Sequence, residues 1–154
     1  MRGKNVGMFE IKVKLANQAA PSRTEEVSLL VDTGATLSWV PRQVLEKLGI
    51  KPTAKLEFQL ADGRLLQRDA GAALFTIDGK SLGIPVAFGE PGEESVLGAT
   101  ALEALGFMVD PVEQKLISRN LRMLRIGTIQ LSDAYANKRK DLARVPQTEV
   151  GLRR

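Results

Sequence analysis

Asp32-Thr33-Gly34-Ala35 follows directly on the apolar run Val27-Ser28-Leu29-Leu30-Val31. That order puts a carboxylate on a tight turn at the end of a buried strand. Glycine lets the backbone fold back, and alanine leaves room for a close approach. An acid in that position is costly unless something pairs with it or uses it. The chain has no cysteine and no histidine. A thiol nucleophile, a Ser-His-Asp or Cys-His arrangement, a thiolate or imidazole metal site and a disulfide framework are therefore all excluded. Chemistry in this chain has to be carried by carboxylates or lysines. Taken alone, an aspartate on a turn also serves as a cap for nearby backbone N–H groups, so the surrounding residues decide its meaning.

Those residues extend a pattern. Thr36-Leu37-Ser38-Trp39-Val40-Pro41 resembles the stretch after the catalytic turn in pepsins, including its W-V-P ending. Further on, Ser95-Val96-Leu97-Gly98 precedes a short helical segment and resembles the second hallmark of aspartic proteases, in which two apolar residues and a glycine pack behind the catalytic turn. Leu102 to Phe107 and Val109-Asp110-Pro111 look like the small single-lobed bacterial and archaeal members. The resemblance to retropepsin-like aspartic proteases covers roughly 8–117 and leaves out the C-terminal residues.

The elements that must position these motifs are mostly strands. Met8 to Leu15 alternates apolar and polar residues, the period of a half-exposed strand. Asn17 to Thr24, with Pro21, reads as a loop, and Glu26 to Val31 as the strand leading to the acid. Pro41 to Leu48 has helical spacing, with Pro41 suited to its start and Gly49 to its stop. Lys55–Leu60 and Leu65–Thr76 flank Ala61-Asp62-Gly63-Arg64, whose Asp-Gly pair signals a hairpin. Lys80–Phe88 follows through Asp78-Gly79, and Gly89–Glu94 is a polar turn. A short helix is expected near Thr100–Leu105, and Lys115-Leu116-Ile117 reads as a closing strand. Short strands, regular turns and brief helices predict an all-β class, a closed barrel-like fold with one or two short helices.

The 154 residues suffice for one domain with a core; 44% are hydrophobic and 26% charged, as in globular chains. No apolar run is long enough to span a bilayer, and the N-terminus lacks a signal-peptide core, so the expected location is cytoplasmic, with no membrane partner. The net charge of +4 is uneven: from Arg119 onward nine basic residues face three acidic ones, whereas the first 118 residues carry a slight negative excess. This predicts a domain over 1–118 and a basic extension over 119–154, partly disordered, with a strand over 121–129, a polar helix over 132–144 and a loose end from Pro146. Lys138-Arg139-Lys140 could attract phosphate, which makes nucleic acid a weakly supported partner. A solvated end, or a segment covering the cleft or the dimer interface, fits the same residues.

The resemblance implies more than the residues alone. Pepsins carry two catalytic turns, and this chain has one, because Asp62-Gly63 and Asp78-Gly79 lack the intervening residue and the apolar lead-in. A homodimer would bring two Asp32 carboxylates together on a two-fold axis to hydrolyse peptide bonds, with no cofactor and no metal. By the same resemblance Thr33 would bond across the axis, Gly34 would present its N–H to the carboxylate, and Ala35 would complete the turn. Residues 61–64 would be the flap that closes over a peptide or protein substrate. Trp39, Val96, Leu97 and Gly98 would support the site by packing. Retroviral flap tips are glycine-rich, and pepsin flaps carry a tyrosine that meets the tryptophan. Here the tip is charged, and the lone Tyr135 lies in the extension. The alternative is a non-catalytic dimeric module that binds extended segments by strand addition in the same groove.

Overall fold

The computed structural model describes residues 8–123 and Arg125. Contacts group Met1–Leu121 as one compact unit and Arg122–Arg154 as another, and all the helices and strands described belong to the first. The extension's expected helix, Tyr135, Lys138-Arg139-Lys140 and the end from Pro146 lie outside the described residues. So does most of its expected strand, of which 121–123 and Arg125 are in no regular element.

Nine strands and two short helices make up the unit, in the order β1 (Glu10–Asn17), β2 (Ala20–Val31), β3 (Ser38–Pro41), α1 (Arg42–Lys47), β4 (Ala54–Gln59), β5 (Leu65–Ile77), β6 (Lys80–Gly89), β7 (Val96–Leu97), α2 (Ala99–Leu105), β8 (Phe107–Asp110) and β9 (Lys115–Ser118). Seven strands pair as β1-β2-β7-β3-β6-β5-β4, and β1 also pairs with β5. Six strands thereby form a closed circuit, and β4 hangs from β5 alone. Closure removes the exposed edges that an open sheet would leave, and it confirms the all-β expectation. No described helix is long and apolar enough to cross a membrane.

Alternation dictates the core. In β1, Val13 and Leu15 face inward while Lys12 and Lys14 face water. Val13 lies opposite Val27 on β2, and Leu15 opposite Phe75 on β5. Phe75, Phe88, Leu29 and Leu97 are wholly buried. Asp78 and Gly79, with φ of 50° and 77°, make the primed turn that matches strand twist between β5 and β6.

Two expectations are corrected. Asn17 to Thr24 is not a loop: β2 begins at Ala20 and runs through Pro21. The β1–β2 register jumps from Asn17↔Ala20 to Ala16↔Thr24, so Pro21 sits in a bulge where no ladder N–H is needed. Lys115–Ile117 does not close the main sheet, because β9 pairs only with β8 in a separate two-stranded sheet. The circuit closes through β1 and β5 instead. The sequence pattern also passed over β3 and β8, each only four residues long.

Ion pairs tie the outer elements to the sheet. Arg42, at the start of α1, donates to Asp69 on β5 (2.6 Å) and to Glu90 after β6 (2.9 Å), and its guanidinium lies 5.1 Å from the Phe88 ring centre. Lys55 on β4 reaches the other Asp69 oxygen at 2.9 Å. These bonds, from Lys55 first and Arg42 second, hold the Asp69 carboxyl below the usual carboxylate range.

Two predictions follow from this packing. Phe75→Ala empties the centre of the closed sheet and is expected to cost about 3–5 kcal/mol in urea unfolding. A depressed carboxyl stabilises the fold above its unfolded-state pKa, about 4, and that stabilisation is lost as pH falls through the folded value. The melting temperature of Asp69→Asn should therefore lie below wild type at neutral pH, and the gap should close in strong acid. A gap constant across pH would contradict this linkage.

Candidate active site

The strand β2 delivers Asp32 to the point where the chain leaves the sheet. The Asp32 N–H donates to Leu97 O on β7 at 3.0 Å, fixing the residue against the neighbouring parallel strand. The turn then closes on itself: Gly34 N–H donates to Asp32 Oδ1 at 2.9 Å and Ala35 N–H to Asp32 O at 3.2 Å. A Cβ on Gly34 would stand 3.2 Å from the same Oδ1, so glycine permits the approach. Asp32 is half-buried, whereas Thr33 is exposed, and its hydroxyl bonds to nothing among the described residues.

Behind the turn, the loop and α2 satisfy one another. Ala99 N–H donates to Ala35 O at 2.7 Å and Thr100 N–H to Thr36 O at 3.0 Å. These first-turn donors have no partner within the helix, and α2 has no side-chain cap. Gly98 N–H donates to Ser38 Oγ at 2.9 Å. Ser38 is the sole wholly buried polar side chain among the described residues. The sequence reading quoted Ser38 without giving it a role; a hydroxyl between Leu37 and Trp39 in an apolar stretch was the available signal. Val96 and Leu97 are buried. A Cβ on Gly98 would come within 2.6 Å of the Leu37 carbonyl and 2.8 Å of Ala35 O. Only glycine fits this crossing, and the reason is steric, since its φ is an ordinary −95°.

Asp32 borders two cavities. A groove of about 1030 Å³ lies between the turn, the β4–β5 hairpin and residues 93–96; Trp39, Leu56, Phe58 and Leu66 supply much of its apolar wall. A second cavity of about 570 Å³ opens between Asp32, Thr33, α2 and β8. Trp39 belongs to the groove and not to the core: it is half-buried, and its ring meets Phe58 edge-on at 5.0 Å between centres. Phe58 supplies the hairpin's aromatic contact with the tryptophan, from within β4.

The hairpin tip is occupied with itself. Asp62 accepts Arg64 N–H at 3.0 Å and Arg64 Nε–H at 2.8 Å. Gly63 takes a φ of 90° to make the turn. Of residues 61–64, only Ala61 lines the groove. The two tip charges therefore offset each other in solvent, an exposed pairing of small energetic weight.

Further back, Arg68 on β5 forms a two-pronged ion pair with Glu93, Nε to Oε1 at 3.2 Å and Nη2 to Oε2. Glu93 also accepts Glu90 N–H at 2.8 Å. The Arg68 guanidinium holds the Glu93 carboxyl below the usual carboxylate range, against the opposing effect of burial. Among the described residues no three carboxylates gather to hold a metal ion.

Adding a methyl group at the glycine crossing tests this arrangement. Gly98→Ala is expected to destabilise the chain by about 1–3 kcal/mol, through the shift it forces on the Leu37 and Ala35 backbone. Urea unfolding would measure it, and an unchanged midpoint would mean that the crossing has slack.

Comparison with solved structures finds similarity to the EIAV protease complexed with the inhibitor HBY-793, at 18% identity over 63% of this chain and 86% of that one, with a TM-score of 0.46. The simian foamy virus (mac) protease is similar at 19% identity, over 62% of this chain and 94% of that one, with a TM-score of 0.42. No curated protein matches in sequence. The family model described as aspartyl protease matches residues 11–101. That match takes in the strand leading to Asp32, the turn itself, the β4–β5 hairpin and the Gly98 crossing, more than half of the chain. The chain belongs to the aspartyl protease family.

Proposed function

We propose that the chain is an aspartic endopeptidase that works as a homodimer, with one Asp32 from each copy. The observation that carries this reading is the half-buried Asp32 carboxylate, held by Gly34 N–H on a stitched turn between an apolar groove and a second cavity. One protomer supplies one such carboxylate. A partner facing Thr33 and the second cavity would supply the other, and Thr33, whose hydroxyl has no bond among the described residues, is the residue that would meet its counterpart there. Met108, which lines that cavity, and its β9 partner Ile117 are exposed apolar side chains and would be covered in such a dimer.

Two carboxylates about 3 Å apart cannot both ionise, so the pair holds one proton between them. The ionised member takes a proton from a water molecule, which attacks the peptide carbonyl carbon. The protonated member gives its proton to the carbonyl oxygen. Collapse of the tetrahedral species returns that proton and breaks the C–N bond, and the leaving nitrogen takes the other proton. The pH dependence belongs to the pair as a whole. An extended substrate would lie in the 1030 Å³ groove, beneath the β4–β5 hairpin, which would limit the access of water.

Cleavage of an unfolded protein from mildly acidic to neutral pH, with wild type beside Asp32→Asn, tests this reading. Asp32→Asn should fold, dimerise in sedimentation, and lose at least about a hundredfold in rate. Equal cleavage by both would sink the mechanism. Binding without turnover in folded dimeric wild type would support the peptide-binding module instead.

A further inference from the structure

Register sets the problem. Opposite residues on β4 and β5 share a face, and the pairs Leu56↔Arg68 and Phe58↔Leu66 put an arginine among three apolar groove-lining side chains. A charge on the apolar face of a substrate groove needs a compensating partner. Its partner is Glu93, from the opposite wall. The two side chains are 18% and 24% exposed, so the pair is shielded enough to be directional, unlike the Asp62–Arg64 pair at the tip.

Each end of the pair is anchored. Glu93 closes its own turn, accepting Glu90 N–H while its N–H donates to Glu90 O at 3.0 Å. Ser95 and Leu97, just beyond it, accept the N–H groups of Leu30 and Asp32. The guanidinium of Arg68 lies 6.0 Å from the centre of the Trp39 ring, whose edge contact with Phe58 returns to β4. The hairpin is otherwise lightly held, because β4 pairs with β5 alone and five of its six residues are exposed. Arg68–Glu93 is thus a tie across the groove, joining the return strand of the hairpin to the segment that fixes the Asp32 backbone.

We propose that Arg68 and Glu93 are positioning residues: their ion pair sets the spacing between the β4–β5 hairpin and residues 93–96, holds Trp39 in the groove wall, and so determines affinity for extended polypeptide. This rests on the reading of the groove as the substrate site. It concerns binding, which is read apart from the chemistry at Asp32.

The test uses the full chain with Asp32→Asn as background, so that binding is read without turnover. Fluorescein-labelled β-casein, an unfolded polypeptide, is the probe, followed by anisotropy. Trp39 is the single tryptophan, and acrylamide quenching of its emission reports the wall directly. Arg68→Glu and Glu93→Arg should each weaken casein binding about tenfold and raise the quenching of Trp39. The double exchange Arg68→Glu/Glu93→Arg should restore both. Circular dichroism establishes that each variant is folded, and a single variant that unfolds is replaced by Arg68→Met or Glu93→Gln, for which the same direction is expected. Binding and quenching that ignore the single changes overturn the proposal, as does a folded double exchange that restores neither, or an absence of casein binding in the Asp32→Asn parent. Cleavage by the wild-type Asp32 chain is scored separately. Pair-dependent binding without cleavage would reject the protease and keep the positioning role, and cleavage with pair-independent binding would do the reverse.

Discussion

The passage of Gly98 beneath the loop after Asp32 is the constraint on which the rest depends. Backbone carbonyls of Ala35 and Leu37 come so close that no side chain fits between them and residue 98. That approach lets Asp32 N–H reach Leu97, Ala99 N–H reach Ala35, and Gly98 N–H reach the Ser38 hydroxyl. Leu97, Gly98 and Ser38 are buried, so their polar groups would be costly to leave unpaired. The loop therefore gains one conformation from a set of short bonds. The start of α2 gains its cap from the same bonds, and a helix of seven residues has little stability of its own to supply one.

Around that crossing the molecule divides into a tightly held part and a loosely held part. The closed six-strand circuit has Phe75 and Phe88 at its centre, and its strands bond to neighbours on both sides. The β4–β5 hairpin extends past it, with Leu56 and Leu65 exposed. Its attachments are few and mostly polar: Asp69 toward Arg42 of α1, Arg68 toward Glu93, and one aromatic edge contact. A segment held by a few directional bonds opens at lower cost than a packed one, as the proposed binding of an extended polypeptide would require.

The electrostatic layout agrees with this division. Arg42 and Arg68 each bind carboxylates from the loop after β6, Glu90 and Glu93 respectively. That loop leads directly into β7 and the bond to Asp32. Two arginines on different elements thus hold one connecting segment, and through it the backbone of the acid. Among the described residues Asp32 bonds only with its own turn and with Leu97, and its second carboxylate oxygen accepts no bond from them.

Much of this was legible in the residue order. Short alternating runs broken by turn residues indicated the all-β class through local rules of turn and strand, whereas the family and the meaning of the acid came from the resemblance of Asp-Thr-Gly and the second apolar pair before glycine to known motifs. The bulge at Pro21 was hidden, since a proline in a strand is tolerable only when its partner strand skips it. The short strands β3, β7 and β8 fall inside stretches read as motifs and not for their alternation. Ser38 looked like one more polar residue, and Arg68 and Glu93 lie 25 positions apart with nothing local to join them. The sequence by itself determined which residue carries the acid and that strands deliver it, because alternation and turn chemistry act over a few neighbours. Only the tertiary structure decided which arginine meets which carboxylate, that Trp39 lines a groove and does not fill the core, and that glycine at 98 is a steric necessity. Those facts arise where distant backbones come within about 3 Å of each other.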